Sequence, residues 1–175
     1  EEITVPGLAG ELRVKSSGIF DGYYKSPELT KVAFDENGFY RSGDLFEIAG
    51  EGELFPYYKF IGRCRELIIR GGMNIAPVEI DHLLSDHPLI LDMAAFGYPD
   101  ERLGEKIGVA IVGKSGQALS LEQIVEYLRN KKIAVFKLPQ KVLMLDEIPR
   151  NAMMKVSRYR LTELSVANDL AEESV

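Results

Sequence analysis

The chain has 175 residues, 46% of them hydrophobic, and a formal net charge of −6 at pH 7, enough for one ordinary domain or two small ones with a real core. No apolar run approaches the roughly 18 residues of a membrane span, no leader pattern opens the sequence, and the basic residues are scattered, which argues against a membrane span and against nucleic acid as the main partner. With no span and no leader pattern a cytoplasmic setting is the default expectation; Cys64 has no second cysteine to pair with, and with only His82 and His87 beside it no metal-ligand spacing exists, so structural zinc is not expected.

The sequence starts at Glu1 rather than Met and enters strand-like residues almost at once, which reads as a piece of a longer protein. Leu12 and Val14 alternate with Arg13 and Lys15 as in a half-buried strand, and Gly18, Gly22 and Pro27 punctuate the residues after it. Short strand signals recur at Phe39-Tyr40 and from Tyr57 to Ile61, separated by turn-rich residues 35–38 and 49–52. Residues 1–62 therefore read as all β. They bury too little alone, and the expectation is that they complete a barrel or sheet with strands from elsewhere. Within them Ser42-Gly43-Asp44 has two readings. An aspartate after glycine at a strand end is shaped to accept two hydrogen bonds from a vicinal diol, as acidic residues do for ribose, and Ser-Gly-Asp is equally common turn chemistry.

From Arg63 the pattern changes. Arg63-Cys64-Arg65-Glu66 is charged and poor in apolar residues, Leu67-Ile68-Ile69 is of strand length, and Gly71-Gly72 makes a loop whose backbone can lie flush against a ligand. Pro77 sits where a helix begins, with Ile80, Leu83 and Leu84 on one stripe and Pro88 closing it. Strands are predicted over 91–98, 107–112 and 141–145, with a turn at 114–116. A helix is predicted over 121–130, opened by a Ser120/Gln123 capping box and closed by Lys131-Lys132. Ile148 to Asn151 reads as an irregular loop, Ser157 as the cap of a last helix carrying Leu161 and Leu164, and the acidic tail beyond Val166 as frayed. The predicted class is thus α+β: an all-β segment, then a small α+β lobe over 63–175 with a three-stranded sheet flanked by helices. Lys155, on the loop before that last helix with Arg150 and Arg158 nearby, reads either as a solvated surface charge or as a point charge for a phosphate.

Five segments, in this order and at these separations, carry a resemblance: GELRVKSSGIFDGYY, FYRSGDL, GRCRELIIRGGMNIAPVEID, GYPDERLGEKIGVAIV and LPQKVLMLDEIPRNAMMKVSRYRL. Together they resemble the carboxy-terminal portion of the adenylate-forming superfamily, which includes acyl-CoA synthetases and peptide-synthetase adenylation domains. RGGMNIAPVEID is more similar to the CoA ligases. The resemblance implies that a carboxylic acid and ATP give an acyl adenylate and pyrophosphate, after which the thiol of coenzyme A takes the acyl group. It implies that residues 1–62 end a large AMP-binding domain and that 63–175 form a mobile lobe hinged near Arg65. By the family pattern Asp44 holds the ribose hydroxyls with Arg63 beside it, Lys155 contacts carboxylate and phosphate oxygens, and Gly71, Gly72, Met73 and Asn74 line the way for the pantetheine arm. The resemblance also implies that Lys155 and the glycine loop lie on different faces of the lobe. The acid pocket, the phosphate loop and the Mg²⁺ ligands belong to the family's upstream part, so these residues alone are expected to be inactive. An adenylation domain that loads a carrier protein and a non-catalytic binding module that keeps the fold are the other readings.

Two positions depart from the pattern. Met154 stands where the family places a glycine before its lysine, and Arg65 stands where aspartate or lysine is more usual. Cys64 reads as a small, semi-buried hydrophobe.

Overall fold

A computed structural model describes residues 3–49 and 57–172, and in it the chain divides into two compact units, Glu1–Arg65 and Glu66–Val175.

The first unit is a three-stranded antiparallel sheet, β1 (Ala9–Val14), β2 (Tyr40–Ala49) and β3 (Tyr57–Arg63), in that order. It is not all β. A seven-residue helix, α1 (Pro27–Ala33), stands between β1 and β2, with proline in its first turn where the missing N–H costs no hydrogen bond. Phe20 meets Tyr23, Phe34 and Tyr40 at ring separations of 5.1, 5.6 and 5.3 Å, a small aromatic cluster at the start of β2. Ile48 is the one buried apolar side chain among this unit's described residues, while Tyr24, Tyr57 and Tyr58 are exposed. The predicted turn over 49–52 lies, beyond Ala49, outside the described residues.

The second unit has five strands rather than three. β6 (Ile90–Asp100), β7 (Gly104–Gly113) and β8 (Lys141–Met144) are the predicted ones, and a short hairpin of β4 (Ile68–Arg70) and β5 (Met73–Ile75) adds to them in the order β5-β4-β7-β6, with β8 parallel to β7. The apolar run Leu67-Ile68-Ile69 marks β4 to within one residue, while β5, of three residues, is too short for a period-2 pattern to register. The helices are α2 (Pro77–Leu84), α3 (Leu121–Asn130) and α4 (Arg158–Glu172).

Both faces of this sheet are covered, which is why β6 and β7 read as continuous apolar runs. Ala95, Ile107, Val109 and Ile111 pack on one face with Ile80 and Leu84 of α2 and Ile124 and Leu128 of α3. Ala94, Phe96, Tyr98 and Ala110 pack on the other with Leu143, Ile148 and Leu161 of α4. The capping box is formed: Ser120 Oγ accepts from the Gln123 N–H and Gln123 Oε1 from the Ser120 N–H. The tail is not frayed from Val166. Helix α4 continues to Glu172 because Lys141 Nζ donates to both carboxylate oxygens of Asp169 at 2.5 Å and to the buried Ser165 hydroxyl at 3.1 Å.

Candidate functional site

The sequence-predicted residues fall into three groups, one in the first unit and two in the second. Asp44 and Arg63 are direct cross-strand partners on β2 and β3. Asp44 is neither at a strand end nor in a turn; it lies inside β2, just before an irregularity in the pairing between Leu45 and Phe46. Gly43, at φ +73° with nothing near a would-be Cβ, supplies the local kink that only glycine makes without strain. Ser42 Oγ accepts from the Asp44 N–H at 3.1 Å and donates to the Leu12 carbonyl at 2.6 Å, so the kink is pinned to β1. Arg63 Nε lies 3.0 Å from Asp44 Oδ1 in ion-pair contact without hydrogen-bond geometry. That buried oxygen accepts no hydrogen bond from the described residues.

Arg65 is exposed in the 3₁₀ turn Cys64–Glu66, where the chain passes from one unit to the next. Cys64 is exposed, not semi-buried, because that turn buries none of its residues. Local desolvation, then the negative charges of Glu11 and Asp44, hold its thiol above the usual range.

Gly71 and Gly72 are the whole turn of the β4–β5 hairpin, both at positive φ (+57° and +82°), as a two-residue hairpin turn with the native strand twist demands. The Gly71 N–H donates to the Leu103 carbonyl at 2.7 Å and the Ile69 N–H to Glu105 Oε2 at 2.6 Å, which ties the hairpin to the start of β7. Met73 and Asn74 are exposed on its far leg, whereas Ile75 is fully buried and anchors it.

Lys155 is exposed on a loop fixed at every turn. Asn151 Oδ1 accepts the N–H groups of Met153 and Lys155 at 2.9 and 3.1 Å, and the Asn151 N–H donates to the Lys155 carbonyl at 2.8 Å. Arg150 donates to the Met154 carbonyl at 3.1 Å and to Asp92 Oδ2 at 2.7 Å. Met154 occupies φ +61°, the left-handed region, so the backbone shape a glycine would favour is kept by a residue that is strained there. The Lys155 ammonium has no partner among the described residues.

The hairpin and the Lys155 loop stand at opposite ends of one β ribbon. Arg70, next to Gly71, pairs with Gly104 at the start of β7, while Asp92, the anchor of the Lys155 loop, pairs with Val112 near its end. The eight residue steps between Gly104 and Val112 span roughly 26 Å at the rise of a strand.

Sequence reasoning missed the residues that hold this geometry. Asn151 had a local signal, since asparagine commonly hydrogen-bonds backbone two residues on. Arg158 had none: it joins Asp81, 77 residues away, at 2.8 Å, and burial pushes the Asp81 carboxyl up against the pull of that guanidinium. Among the described residues no group of three or more His, Cys, Asp or Glu side chains is placed to hold a metal ion. No described helix is long and apolar enough to cross a membrane.

Residues 79–155 match the family described as AMP-binding enzyme C-terminal domain. The chain is 36% identical to the medium-chain fatty-acid–CoA ligase of Escherichia coli over 96% of its own length and 30% of that protein's. It is 41% identical to enterobactin synthase component E of the same organism over 90% of this chain and 28% of that one. A crystal structure of ATP-bound MatB from Rhodopseudomonas palustris is similar with a TM-score of 0.80 and 33% identity over 92% of this chain and 31% of that one. The chain thus spans about 30% of the length of the relatives it matches.

Proposed function

The chain belongs to the adenylate-forming enzymes, with residues 79–155 as their AMP-binding enzyme C-terminal domain, and from that premise we propose that it is the carboxy-terminal part of an ATP-dependent acyl-CoA synthetase, in which residues 1–62 end the large AMP-binding domain and 63–175 form the mobile lobe. The whole protein activates a carboxylic acid with ATP and hands the acyl group to coenzyme A. Asp44, whose carboxylate is held beside Arg63 and is 27% exposed, accepts hydrogen bonds from the ribose hydroxyls. Lys155 places a positive charge on the oxygens where negative charge builds as the acid attacks the α-phosphate. Such a preorganised charge is worth about 10² to 10³ in rate.

One observation carries this reading: the Lys155 ammonium is unpartnered among the described residues while the backbone beneath it is held by Asn151 and Arg150. A solvated surface lysine needs no such scaffold, whereas a charge that must meet a reacting group does. The Gly71-Gly72 hairpin at the other end of the ribbon supports a second role in the same lobe. A swing about Arg65 would exchange Lys155 for the hairpin between the two half-reactions, with Gly71, Gly72, Met73 and Asn74 then lining the pantetheine path. No step is assigned to Mg²⁺ on these residues.

The test is pyrophosphate exchange by the full-length enzyme with a panel of carboxylic acids, comparing the unaltered protein with Lys155→Ala. A fall of about 10² to 10³ supports the reading; exchange unaffected by the substitution, or absent with every acid, overturns it. Supplying free coenzyme A and an isolated carrier protein in parallel then separates a CoA ligase from a carrier-loading enzyme. Residues 1–175 alone should release no pyrophosphate.

A further inference from the structure

Arg158 opens α4 three residues after Lys155, and its guanidinium reaches three acceptors. Nε donates to Glu66 Oε2 at 3.1 Å, Nη2 to Asp81 Oδ2 at 2.8 Å and Nη1 to the Ala95 carbonyl at 3.1 Å. The other Asp81 oxygen accepts from the Ala95 N–H at 2.6 Å. Arg158 and Asp81 are mostly buried, with side chains 17% and 19% exposed, so this pair is the anchor of the group. Glu66 is different. Its side chain is 42% exposed, and it is both the last residue of the 3₁₀ turn and the first residue of the second unit.

Between Arg158 and Lys155 the chain has no slack. The Ser157 N–H donates to the Pro149 carbonyl at 2.8 Å, Val156 is bridged to Arg150, and the Lys155 N–H and carbonyl are both held by Asn151. Lys155 is therefore tied by consecutive fixed links to the carboxylate of Glu66. Asp81 and the Ala95 carbonyl already anchor the Arg158 fork on α2 and β6. An additional bond to a half-exposed carboxylate adds little stability, but a planar guanidinium fixes direction as well as distance.

We propose that Arg158 and Glu66 are positioning residues that lock the Lys155 loop to the end of the inter-unit turn, so that turning of the chain at Arg65 carries Lys155 with it as one body. This rests on the roles proposed for Lys155 and Arg65. If Glu66 is released, the 3₁₀ turn loses its bond to Arg158 and Lys155 reaches the reacting oxygens in a spread of positions.

The test uses the full-length enzyme with Glu66→Gln, a substitution at a half-exposed site, and with Arg158→Lys, which keeps the charge but replaces the planar fork, whose three nitrogens each meet one acceptor, with a single ammonium nitrogen. Adenylate formation, read by pyrophosphate exchange at saturating substrate, is expected to fall about tenfold in kcat with KM for ATP little changed. Thioester formation from a supplied acyl adenylate should change less than twofold. In a Lys155→Ala background Glu66→Gln should cost nothing further, because its effect passes through that lysine. Equal losses in both half-reactions, an undiminished loss in the Lys155→Ala background, or adenylation within twofold of the parent would overturn the proposal. Absence of exchange in the unaltered enzyme would instead bring down the functional reading itself, and this proposal with it.

Discussion

Arg150 Nη2 lies 2.7 Å from Asp92 Oδ2, which joins the start of β6 to the loop that carries Lys155. Both side chains are about one-third exposed, at 33% and 35%, so the pair contributes at most about 1 kcal/mol to stability. Its consequence is local, because the same guanidinium holds the Met154 carbonyl. Arg150→Gln is therefore expected to leave the unfolding midpoint of the second unit nearly unchanged while the Met154 and Lys155 amides exchange several-fold faster. Hydrogen exchange followed residue by residue checks this; unchanged exchange would show that Asn151 alone holds the loop.

Met154 is the strained element of that loop. A non-glycine residue in the left-handed region costs about 1 kcal/mol or more, and at 70% exposure Met154 recovers little of it by packing. Met154→Gly should raise stability by about 0.5 kcal/mol once the greater freedom of glycine in the unfolded chain is subtracted. Met154→Val should lower it by about 1 kcal/mol, since a β-branched side chain fits this region worst. Denaturant midpoints of the three proteins give the ranking. An order in which Met154→Gly is the least stable would mean that the side chain makes a contribution its exposure does not suggest.

How much of this was legible in the sequence depended on range. The stripe of Ile80 and Leu84, the Ser120/Gln123 box and the apolar runs of β6 and β7 are short-range patterns, and each appears where its spacing put it. Helix α1 was hidden among turn residues and β5 was too short to show a period, whereas the apolar run Leu67-Ile68-Ile69 marked β4. Asp44 and Arg63 could be named from motif order, but their direct pairing depends on the register of β2 and β3. The ties of Lys155 to the rest of its unit, through Asp92 and through Arg158 to Asp81, join residues far apart in sequence, where nothing local marks one partner for the other. Met154 reads as a departure from pattern in the sequence. Its positive φ is a backbone shape that glycine adopts without strain, held here by a different side chain.

The β4–β5 turn separates backbone demand from contact. A Cβ at Gly72 would meet nothing within 4 Å, and one at Gly71 only the Leu103 side chain at 3.5 Å, so space does not forbid alanine at either site. Conformation does: both residues hold positive φ, and Gly72→Ala should cost about 1 kcal/mol from that conformational strain alone. In the full-length enzyme the same substitution should slow thioester formation more than adenylate formation, given the proposed place of the hairpin. Paired half-reaction rates check it, and equal slowing of both steps would remove the hairpin from the pantetheine path.

His87 sets a pH dependence for the second unit. It is 8% exposed, its ring packs edge-on against Tyr127 at 4.5 Å, and its Nδ1 accepts the Leu89 N–H at 3.3 Å, a bond that a protonated Nδ1 cannot make. Burial, and secondarily the charge of Lys114, hold the imidazolium below its ordinary value of 6.5. With the folded value lowered, the unfolded chain binds the proton more readily, so the contribution is fully present above about pH 6.5 and is lost as pH falls from there toward the folded value. The denaturant midpoint should fall between pH 7.5 and pH 5 by more in the parent than in His87→Gln, which has no proton to take up. Parallel curves for the two proteins would show that the ring is already solvated enough to be protonated in place, and that Nδ1 is not committed to the Leu89 amide.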